Sequence, residues 1–320
     1  MTIRSVQHST PPFVTVKNRV VGCILGGALG DAWGGPTEGQ VGSLQLQVPA
    51  RAVLSDDTEL TLATCESIVD VGRVDPESVA SHFLRWFLAG RVHGMGSSTL
   101  KAMRDLAAGT HWALAGARGE FAAGNGAAMR IAPLAFLLNP DHSRDRTVIR
   151  DVCRITHHSD EAYVGALAVI LAIRSVLSGV WSQERSFLAA TIDSLPDSAV
   201  RDRIAALLML RLPPSEVARS FGATGHVVDT VPLALYCAQS IASDTLPAVL
   251  AQTIGVGGDT DTLASIAGQI AGTVVGSAGI PGQLITSVEG SHEVTLIADA
   301  FAEFVDTRDC FSIDNEEKQR

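Results

Sequence analysis

Apolar residues recur at helical spacing along most of the chain, and the clearest case is the segment DPESVASHFLRWFLAG. Val79, Phe83, Trp86 and Phe87 fall on one face of a helix in this segment. Asp75 suits the N-cap of that helix, and Pro76 suits its first position. Similar runs predict helices over 98–108, 126–138, 144–156, 160–179, 183–194, 199–211, 226–240, 244–254, 262–276 and 292–306.

Signals for strands are weak by comparison. The alternating segment at 43–48 runs directly into Pro49, so an extended loop fits it as well as a strand does. No repeat and no Ser/Pro-rich linker divides the chain. The pattern therefore predicts an all-α fold, a single compact helical bundle, with one domain over residues 1–320, a core at about 18–306 and flexible termini.

Two of the predicted helices carry a small residue at every fourth position. They are Gly22, Gly26, Gly30 and Gly34 in the first helix and Ala264, Gly268, Gly272 and Gly276 in the second. Each glycine inside a helix costs about 1 kcal/mol relative to alanine, so a stripe of them calls for a compensating contact. Small residues four apart form a smooth ridge on which another helix packs closely. We expect these two helices to form the centre of the bundle, and chance in a Gly- and Ala-rich sequence is the alternative.

Composition narrows the class of protein. Hydrophobic residues make up 46% of the 320 residues, which supports a large core, and the net charge of −10 argues against a nucleic-acid partner. The five cysteines are scattered and form no CxxC pair, a usage typical of reduced thiols in a cytoplasmic protein. The N-terminus lacks the apolar core of a signal peptide, and the apolar runs are short or interrupted. We expect a cytoplasmic protein, taken as a monomer, with neither a nucleic-acid nor a membrane partner.

Three acidic segments fall at predicted helix boundaries. They are GDAWGGPTE with Asp31 and Glu38, SDDTELTLATCESI with Ser55, Asp56, Asp57 and Thr58, and GGDTDTLAS with Asp259, Asp261 and Thr262. Taken singly, SDDT fits a helix N-cap, and Asp-x-Asp fits an Asx-turn. Together, the SDDT and Asp-x-Asp-Thr motifs supply up to four carboxylates and several hydroxyl oxygens. The negative charges would repel one another unless cations neutralise them. Such oxygen donors suit Mg²⁺, Mn²⁺ or Ca²⁺ better than Zn²⁺, provided that the distant segments converge.

Five motifs occur in the order found in one known family. They are GGALGDAWGGPTE, SDDTE, GNGAAMRIAPLA, ITHHSDEAYVGALA and GGDTDTLASIAGQIAG. In these motifs the chain resembles the ADP-ribosylglycohydrolase family, which includes the hydrolase acting on dinitrogen reductase and the ADP-ribosylhydrolases of animals. The resemblance spans roughly residues 18–305, which is nearly the whole chain.

The resemblance implies an all-α orthogonal bundle with a central cleft that holds two divalent cations, Mg²⁺ or Mn²⁺. By motif position it implies metal ligands at Ser55, Asp56, Asp57, Asp259, Asp261 and Thr262. It implies a catalytic carboxylate at Glu38 that activates water or protonates the leaving group, and an ordinary loop glutamate is the alternative. It also implies an ADP-ribose site lined by Gly124, Asn125, Gly126 and His157.

Several residues keep a second interpretation. GNGAAMR precedes a predicted helix, so its N–H groups suit a diphosphate, but the same pattern marks an ordinary helix start. Arg118, Arg130 and Arg154 are candidate partners for the diphosphate, and the sequence selects none of them. Trp33 suits either stacking on a base or a place in the core.

The implied function is hydrolysis of the C1″ glycosidic bond of ADP-ribosylated protein side chains or small ADP-ribose conjugates, which reverses ADP-ribosylation. A non-catalytic ADP-ribose-binding protein of the same fold and a dinuclear phosphoester hydrolase are the alternatives. Two departures from the family pattern stand out. Ser55 replaces the Thr of many members, and Phe121, Ala122 and Ala123 stand where other members carry polar or aromatic groups. The second departure leaves open whether the linkage is to arginine, serine, another acceptor or a small metabolite.

Overall fold

The fold, a computed structural model that describes residues 14–40, 52–119 and 122–308, consists almost entirely of helices. The α-helices are α1 Val16–Gly34, α2 Asp56–Val71, α3 Pro76–Leu88, α4 Ser97–Ala107, α5 Ser143–Arg154, α6 Asp160–Leu177, α7 Phe187–Thr191, α8 Ala199–Leu208, α9 Pro214–Phe221, α10 Val227–Ala238, α11 Leu246–Ile254, α12 Thr260–Val275, α13 Gly282–Ile285 and α14 Ser291–Asp306. Two short strands, β1 Ala117–Arg118 and β2 His157–His158, pair in parallel. The predicted all-α class is confirmed. The segment at 43–48 and both chain ends lie outside the described residues.

Helices α1 and α12 pack against each other through the two stripes of small residues. A Cβ added to Gly26 would lie 2.3 Å from the carbonyl oxygen of Gly268, and one added to Gly272 would lie 2.1 Å from that of Gly22. The backbones are therefore in direct contact, and no larger side chain fits between them. At the end of α1, the Thr260 hydroxyl donates to the Gly34 carbonyl at 2.8 Å. The contact fixes the end of α1 beside the start of α12.

The close approach predicts a large stability loss for Gly26→Ala. The new methyl group must push the two backbones apart, and we expect the free energy of unfolding to fall by about 2–3 kcal/mol, because overpacking outweighs the gain in helix propensity. Chemical denaturation checks this. Gly35→Ala is the matched control, since no heavy atom lies within 4 Å of the Cβ position there. Equal stabilities for the two variants would contradict close packing of α1 and α12.

The outer helices surround this central pair. In most places their caps and buried faces are those that the sequence predicts. Asp75 caps α3 by accepting from the Ser78 N–H at 3.0 Å, and Val79, Phe83 and Trp86 are buried, as predicted. None of the helices in the described part of the chain is long and apolar enough to cross a membrane.

The predicted helix over 126–138 is wrong. Turns occupy its first half, and a 3₁₀ helix, Ala132–Phe136, occupies its second half. Pro133 explains the difference, because it lacks the N–H that an α-helix through this segment would use. The predicted helix over 183–194 is also shorter, with α7 followed by one 3₁₀ turn at Ile192–Ser194.

Candidate functional site

A cleft of about 570 Å³ opens where the N-termini of α2 and α12 meet. Five carboxylate residues line it, namely Glu38, Asp56, Asp57, Asp259 and Asp261. Thr262, Gly124, Asn125, Gly126 and His157 also line it. All but one of the predicted site residues therefore share one cavity, although they come from five separate places in the sequence. The exception is Ser55.

Ser55 and Asp31 cap the N-terminus of α2, so the carboxylates of the neighbouring aspartates are not used for capping. The Ser55 hydroxyl accepts from the Asp57 N–H at 3.3 Å and donates to Asp31 Oδ1 at 2.7 Å. Asp31 Oδ2 accepts from the Thr58 N–H at 3.2 Å and from its hydroxyl at 2.5 Å. These contacts provide acceptors for N–H groups of the first turn that have no partner within the helix. A ligand role for Ser55 stays a prediction.

Asp31 has a structural role at the site that the sequence did not reveal. It lies inside α1 and is fully buried, and within the described part of the chain it accepts from Ser55 and Thr58 only. Burial raises the pKa of Asp31 to about 6, against the opposite effect of these hydrogen bonds. Its position at the end of the glycine stripe was the available signal. The stripe brings α1 to α12, and Asp31 then fixes the start of α2 beside both.

The N-terminus of α12 is shaped by a tight turn at Gly258. That residue has φ +83°, and a Cβ there would lie 2.0 Å from the Ala223 carbonyl oxygen, so only glycine fits. The Asn125 side chain donates to Asp259 Oδ2 at 2.5 Å. The Thr262 hydroxyl donates to Asp57 Oδ2 at 3.2 Å, which joins the two acidic motifs directly. The convergence that the sequence required is present in the fold.

The carboxylates of the cleft lack cationic partners among the described residues. Asp57 Oδ1 is buried without any hydrogen-bond partner, and no Lys or Arg is among the cleft-lining residues that the structure describes. Burial, and then the charge of Asp261, raises the pKa of Asp57 well above its ordinary range. Burial likewise raises the pKa of Asp261 to about 7, together with its interaction with Asp259. Buried carboxylates are stable only when paired or bound to metal, so this oxygen-donor set fits hard divalent cations.

Glu38 lies at the mouth of the cleft, after α1. Its carboxylate and those of Asp259 and Asp261 each offer an oxygen within 4.8 Å of the others. The Gly39 N–H donates to the Gly258 carbonyl at 2.8 Å, which ties the Glu38 loop to the turn before α12. The charge of Asp261, and then burial, raises the pKa of Glu38. A solvent-accessible carboxylate with a raised pKa suits proton transfer.

The opposite wall is formed by the Gly124–Gly126 loop and His157. A Cβ on Gly126 would lie 2.8 Å from His157 Cε1, and one on Gly124 would lie 3.0 Å from its Nε2. The two glycines therefore make room for the imidazole ring. The Asn125 N–H donates to the Gly225 carbonyl at 3.1 Å and is not available to a diphosphate. The loop is followed by turns, so the predicted helix start is wrong, and diphosphate binding by this loop stays a prediction.

None of the three candidate arginines lines the cleft. Arg118 and Arg154 are at least partly exposed, Arg118 donating to the Leu114 carbonyl and Arg154 lying 3.8 Å from Asp160. Arg130 is fully buried behind the cleft wall. Trp33 is 1% exposed and belongs to the core.

The sequence also did not reveal a contact between Glu59 and His93, which fixes the loop at His93 beside Asp56. His93 donates through its N–H to Glu59 Oε2 at 2.7 Å, and its Nδ1 lies 2.7 Å from Glu59 Oε1. The His93 carbonyl accepts from the Asp56 N–H at 2.8 Å. Gly94, the next residue, lines the cleft. Glu59 thereby fixes this loop to the first turn of α2.

Comparisons with known proteins agree with this architecture. The family model described as ADP-ribosylglycohydrolase matches residues 13–310. ADP-ribosylhydrolase ARH3 of Danio rerio is 27% identical, over 89% of this chain and 90% of that protein. ADP-ribosylarginine hydrolase Tri1 of Pseudomonas putida is 27% identical, over 88% of this chain and 77% of that protein. A solved structure described as an ADP-ribosylglycohydrolase-related protein complex matches with a TM-score of 0.71 and 25% identity, over 91% of this chain and 99% of that one.

Proposed function

Because the chain belongs to the ADP-ribosylglycohydrolase family, we propose that it is a hydrolase that depends on Mg²⁺ or Mn²⁺ and cleaves the C1″ glycosidic bond of an ADP-ribosyl group. The substrate is an ADP-ribosylated protein side chain or a small ADP-ribose conjugate. The family relatives include proteins named as ADP-ribosyl hydrolases, which supports the reaction class. The cleft volume of about 570 Å³ lies in the range of small-molecule sites.

One observation carries the proposal, namely a carboxylate-rich cleft with no Lys or Arg among its described lining residues. A diphosphate-bearing ligand would be repelled from such a cleft unless cations neutralise the carboxylates. Asp57, with its unpartnered buried oxygen, supports a cation at this point in particular. Two cations between the α2 and α12 carboxylates would supply the positive charge that both the site and the ligand need.

The residues have separate roles in the proposed reaction. Asp56, Asp57, Asp259, Asp261 and Thr262 would hold the cations, which would supply the positive charge that polarises and orients the ribose hydroxyls of the substrate. Asn125 fixes the rotamer of Asp259 through its hydrogen bond. Glu38 takes a proton from the attacking water or gives one to the leaving group, because its carboxylate is accessible and its pKa is raised.

The carboxylate cluster predicts a pH-dependent stabilisation by Mn²⁺. Without cations the pKa of Asp261 is about 7, whereas an aspartate of the unfolded chain titrates near about 4. The folded protein then binds more protons than the unfolded chain between these values, so its stability falls as pH rises through this window. Bound Mn²⁺ removes the repulsion, and an excess of about 100 times Kd adds about 2.7 kcal/mol. We expect Mn²⁺ to raise Tm strongly at about pH 8 and weakly at about pH 5.5.

Differential scanning fluorimetry of EDTA-treated protein measures this shift. Asp261→Asn is expected to raise Tm in the absence of cations and to lose most of the Mn²⁺ shift, because it removes one of the repelling charges. The exposed Asp160→Asn is the matched control and keeps the wild-type response. An equal Mn²⁺ shift at both pH values, retained in Asp261→Asn, would argue against a cation among these carboxylates.

A direct assay tests the proposed function. The protein and Mg²⁺ or Mn²⁺ are incubated with arginine-linked ADP-ribose, serine-linked ADP-ribose and O-acetylated ADP-ribose, and the products are separated. We expect release of free ADP-ribose from at least one of the three. Release of phosphate would favour a phosphoester hydrolase, and binding of ADP-ribose without turnover of any substrate would favour a binding protein. The substrate that is consumed identifies the linkage.

A further inference from the structure

His157 presents one ring nitrogen to the cleft and the other to the protein interior. The side of the ring next to Gly124 and Gly126 carries Nε2, and Nε2 has no hydrogen-bond partner among the described residues. Nδ1 lies 2.7 Å from the Thr156 hydroxyl oxygen on the other side. His157 is 3% exposed. In the neutral ring, the protonation of the buried Nδ1 therefore decides whether Nε2 is a hydrogen-bond donor or an acceptor for a ligand.

Arg130 decides the direction of the hydrogen bond between Thr156 and His157. Arg130 Nη2 lies 2.7 Å from the Thr156 hydroxyl oxygen, and a guanidinium group only donates. It stays charged at neutral pH, since burial lowers its pKa only to about 10. Thr156 therefore accepts from Arg130 and has its own hydrogen left to donate. Within the described part of the chain, the acceptor recorded for that hydrogen is His157 Nδ1.

The surroundings of Arg130 support this arrangement. Its guanidinium is fully buried, stacks 4.6 Å from the centre of the Phe83 ring, and forms no ion pair with a carboxylate among the described residues. Its Nε and Nη1 atoms have no hydrogen-bond partner within residues 14–40, 52–119 and 122–308. Burying such a group costs several kcal/mol, so packing of an apolar core does not account for an arginine here. Its hydrogen bond to Thr156 does account for it, because this bond sets the direction in which the Thr156 hydroxyl donates.

We propose that Arg130 and Thr156 are positioning residues that fix His157 as the neutral Nε2–H tautomer, which donates to an acceptor oxygen of the bound ADP-ribose moiety. The chain of donors runs in one direction, from Arg130 Nη2 to Thr156 Oγ1 and from Thr156 Oγ1 to His157 Nδ1. An Nε2 lone pair in the cleft would instead repel phosphate oxygens, which have no hydrogen to donate. The ligand identity rests on the proposed function, whereas the tautomer does not.

The imidazole is also held neutral, so its donor state is constant. Burial, and then the charge of Arg130, lowers the pKa of His157 to about 3. A neutral ring with Nδ1 occupied as an acceptor has one donor only, at Nε2. Gly124 and Gly126 leave room for the ring in this position, because a side chain at either position would collide with it. The GNG motif therefore shapes the donor, in addition to lining the cleft.

The tautomer can be measured in the ligand-free protein by two-bond ¹⁵N–¹H correlation spectra of the imidazole rings. The His157 signals are assigned by their loss in His157→Gln. We expect an unprotonated Nδ1 and a protonated Nε2, unchanged between about pH 5 and pH 8. Thr156→Ser keeps the hydroxyl and should keep this pattern, whereas the isosteric Thr156→Val should show an Nδ1–H population. A wild-type spectrum with Nδ1 protonated, or a Thr156→Val spectrum identical to the wild type, overturns the proposal.

Calorimetric titration with ADP-ribose tests the consequence for binding. We expect Thr156→Val to weaken Kd by about tenfold, the value of one well-placed hydrogen bond, and Thr156→Ser to bind as the wild type does. Equal affinity in all three proteins overturns the donor role. If the wild type does not bind ADP-ribose at all, the proposed function fails, while the spectra still decide the tautomer. A Thr156→Val protein that does not fold leaves the wild-type and Thr156→Ser spectra to decide it.

Discussion

Replacement of Asp57 by asparagine is expected to lower kcat by about 10³-fold, or to below detection, while the helical circular dichroism spectrum stays unchanged. Cations that polarise a substrate contribute several kcal/mol to the transition state, and each 1.36 kcal/mol is a factor of ten in rate. Asp57 is the strongest choice because its Oδ1 is buried and unpartnered. An asparagine keeps the shape of the side chain and removes the charge that a cation requires.

The fold does not depend on the Asp57 charge. Ser55 and Asp31 cap α2, and the Asp57 side chain accepts from the Thr262 hydroxyl, while the Ser55 hydroxyl, 3.3 Å from Asp57 Oδ2, directs its hydrogen to Asp31. The variant should therefore be at least as stable as the wild type without cations, since it carries one repelling charge fewer. Asp160→Asn, on the exposed start of α6, is the control for rate. A kcat for Asp57→Asn within a factor of about three of that control would be incompatible with a cation role for Asp57.

The second large effect is expected for Glu38→Gln. Proton transfer by a positioned side chain contributes about 10²–10⁴-fold to the rate, so kcat should fall by that factor. Binding of ADP-ribose should change little, because glutamine keeps the size and most of the polar contacts of the side chain. Steady-state kinetics give kcat, and calorimetry gives Kd. The raised pKa of Glu38 favours its protonated form more than that of an ordinary glutamate, which suits a group that transfers protons.

Glu77→Gln, in the exposed first turn of α3, provides the matched control for Glu38→Gln. A Glu38→Gln enzyme as fast as this control would remove Glu38 from the chemistry and leave it as a loop residue. Loss of ADP-ribose binding together with loss of rate would instead assign Glu38 to the cation site. The cluster of Glu38, Asp259 and Asp261 makes that second outcome a meaningful one.

The central helix pair could be predicted from the sequence because its cause is local and periodic. Small residues at every fourth position allow another helix to approach closely, wherever the two helices lie in the fold. The backbone contact of Gly26 with Gly268 is such a close approach. The cap at Asp75 is similar, since capping depends on neighbours within one turn. By contrast, the segment 126–138 has a helical pattern of apolar residues, but Pro133 and the tight packing around His157 prevent an α-helix.

The candidate site was predictable in its residue types and unpredictable in its contacts. The sequence alone left SDDT open as a helix cap, and only the fold shows that Ser55 and Asp31 perform the capping. Asp31, Thr156 and Arg130 act through other residues, and such long-range contacts leave no periodic signal. Arg130 in particular was a plausible diphosphate partner, yet it lies behind the cleft wall with its donor aimed at Thr156.

The central claim is that the acidic starts of α2 and α12 bind divalent cations and that these cations are required for hydrolysis of an ADP-ribosyl bond. The most direct measurement is the initial rate of ADP-ribose release by EDTA-stripped protein, followed as Mg²⁺ or Mn²⁺ is added back. We predict no release by the stripped protein and a saturable recovery on addition of either cation. An undiminished rate in the stripped protein, or no release at any cation concentration from any of the three substrates, would contradict the account.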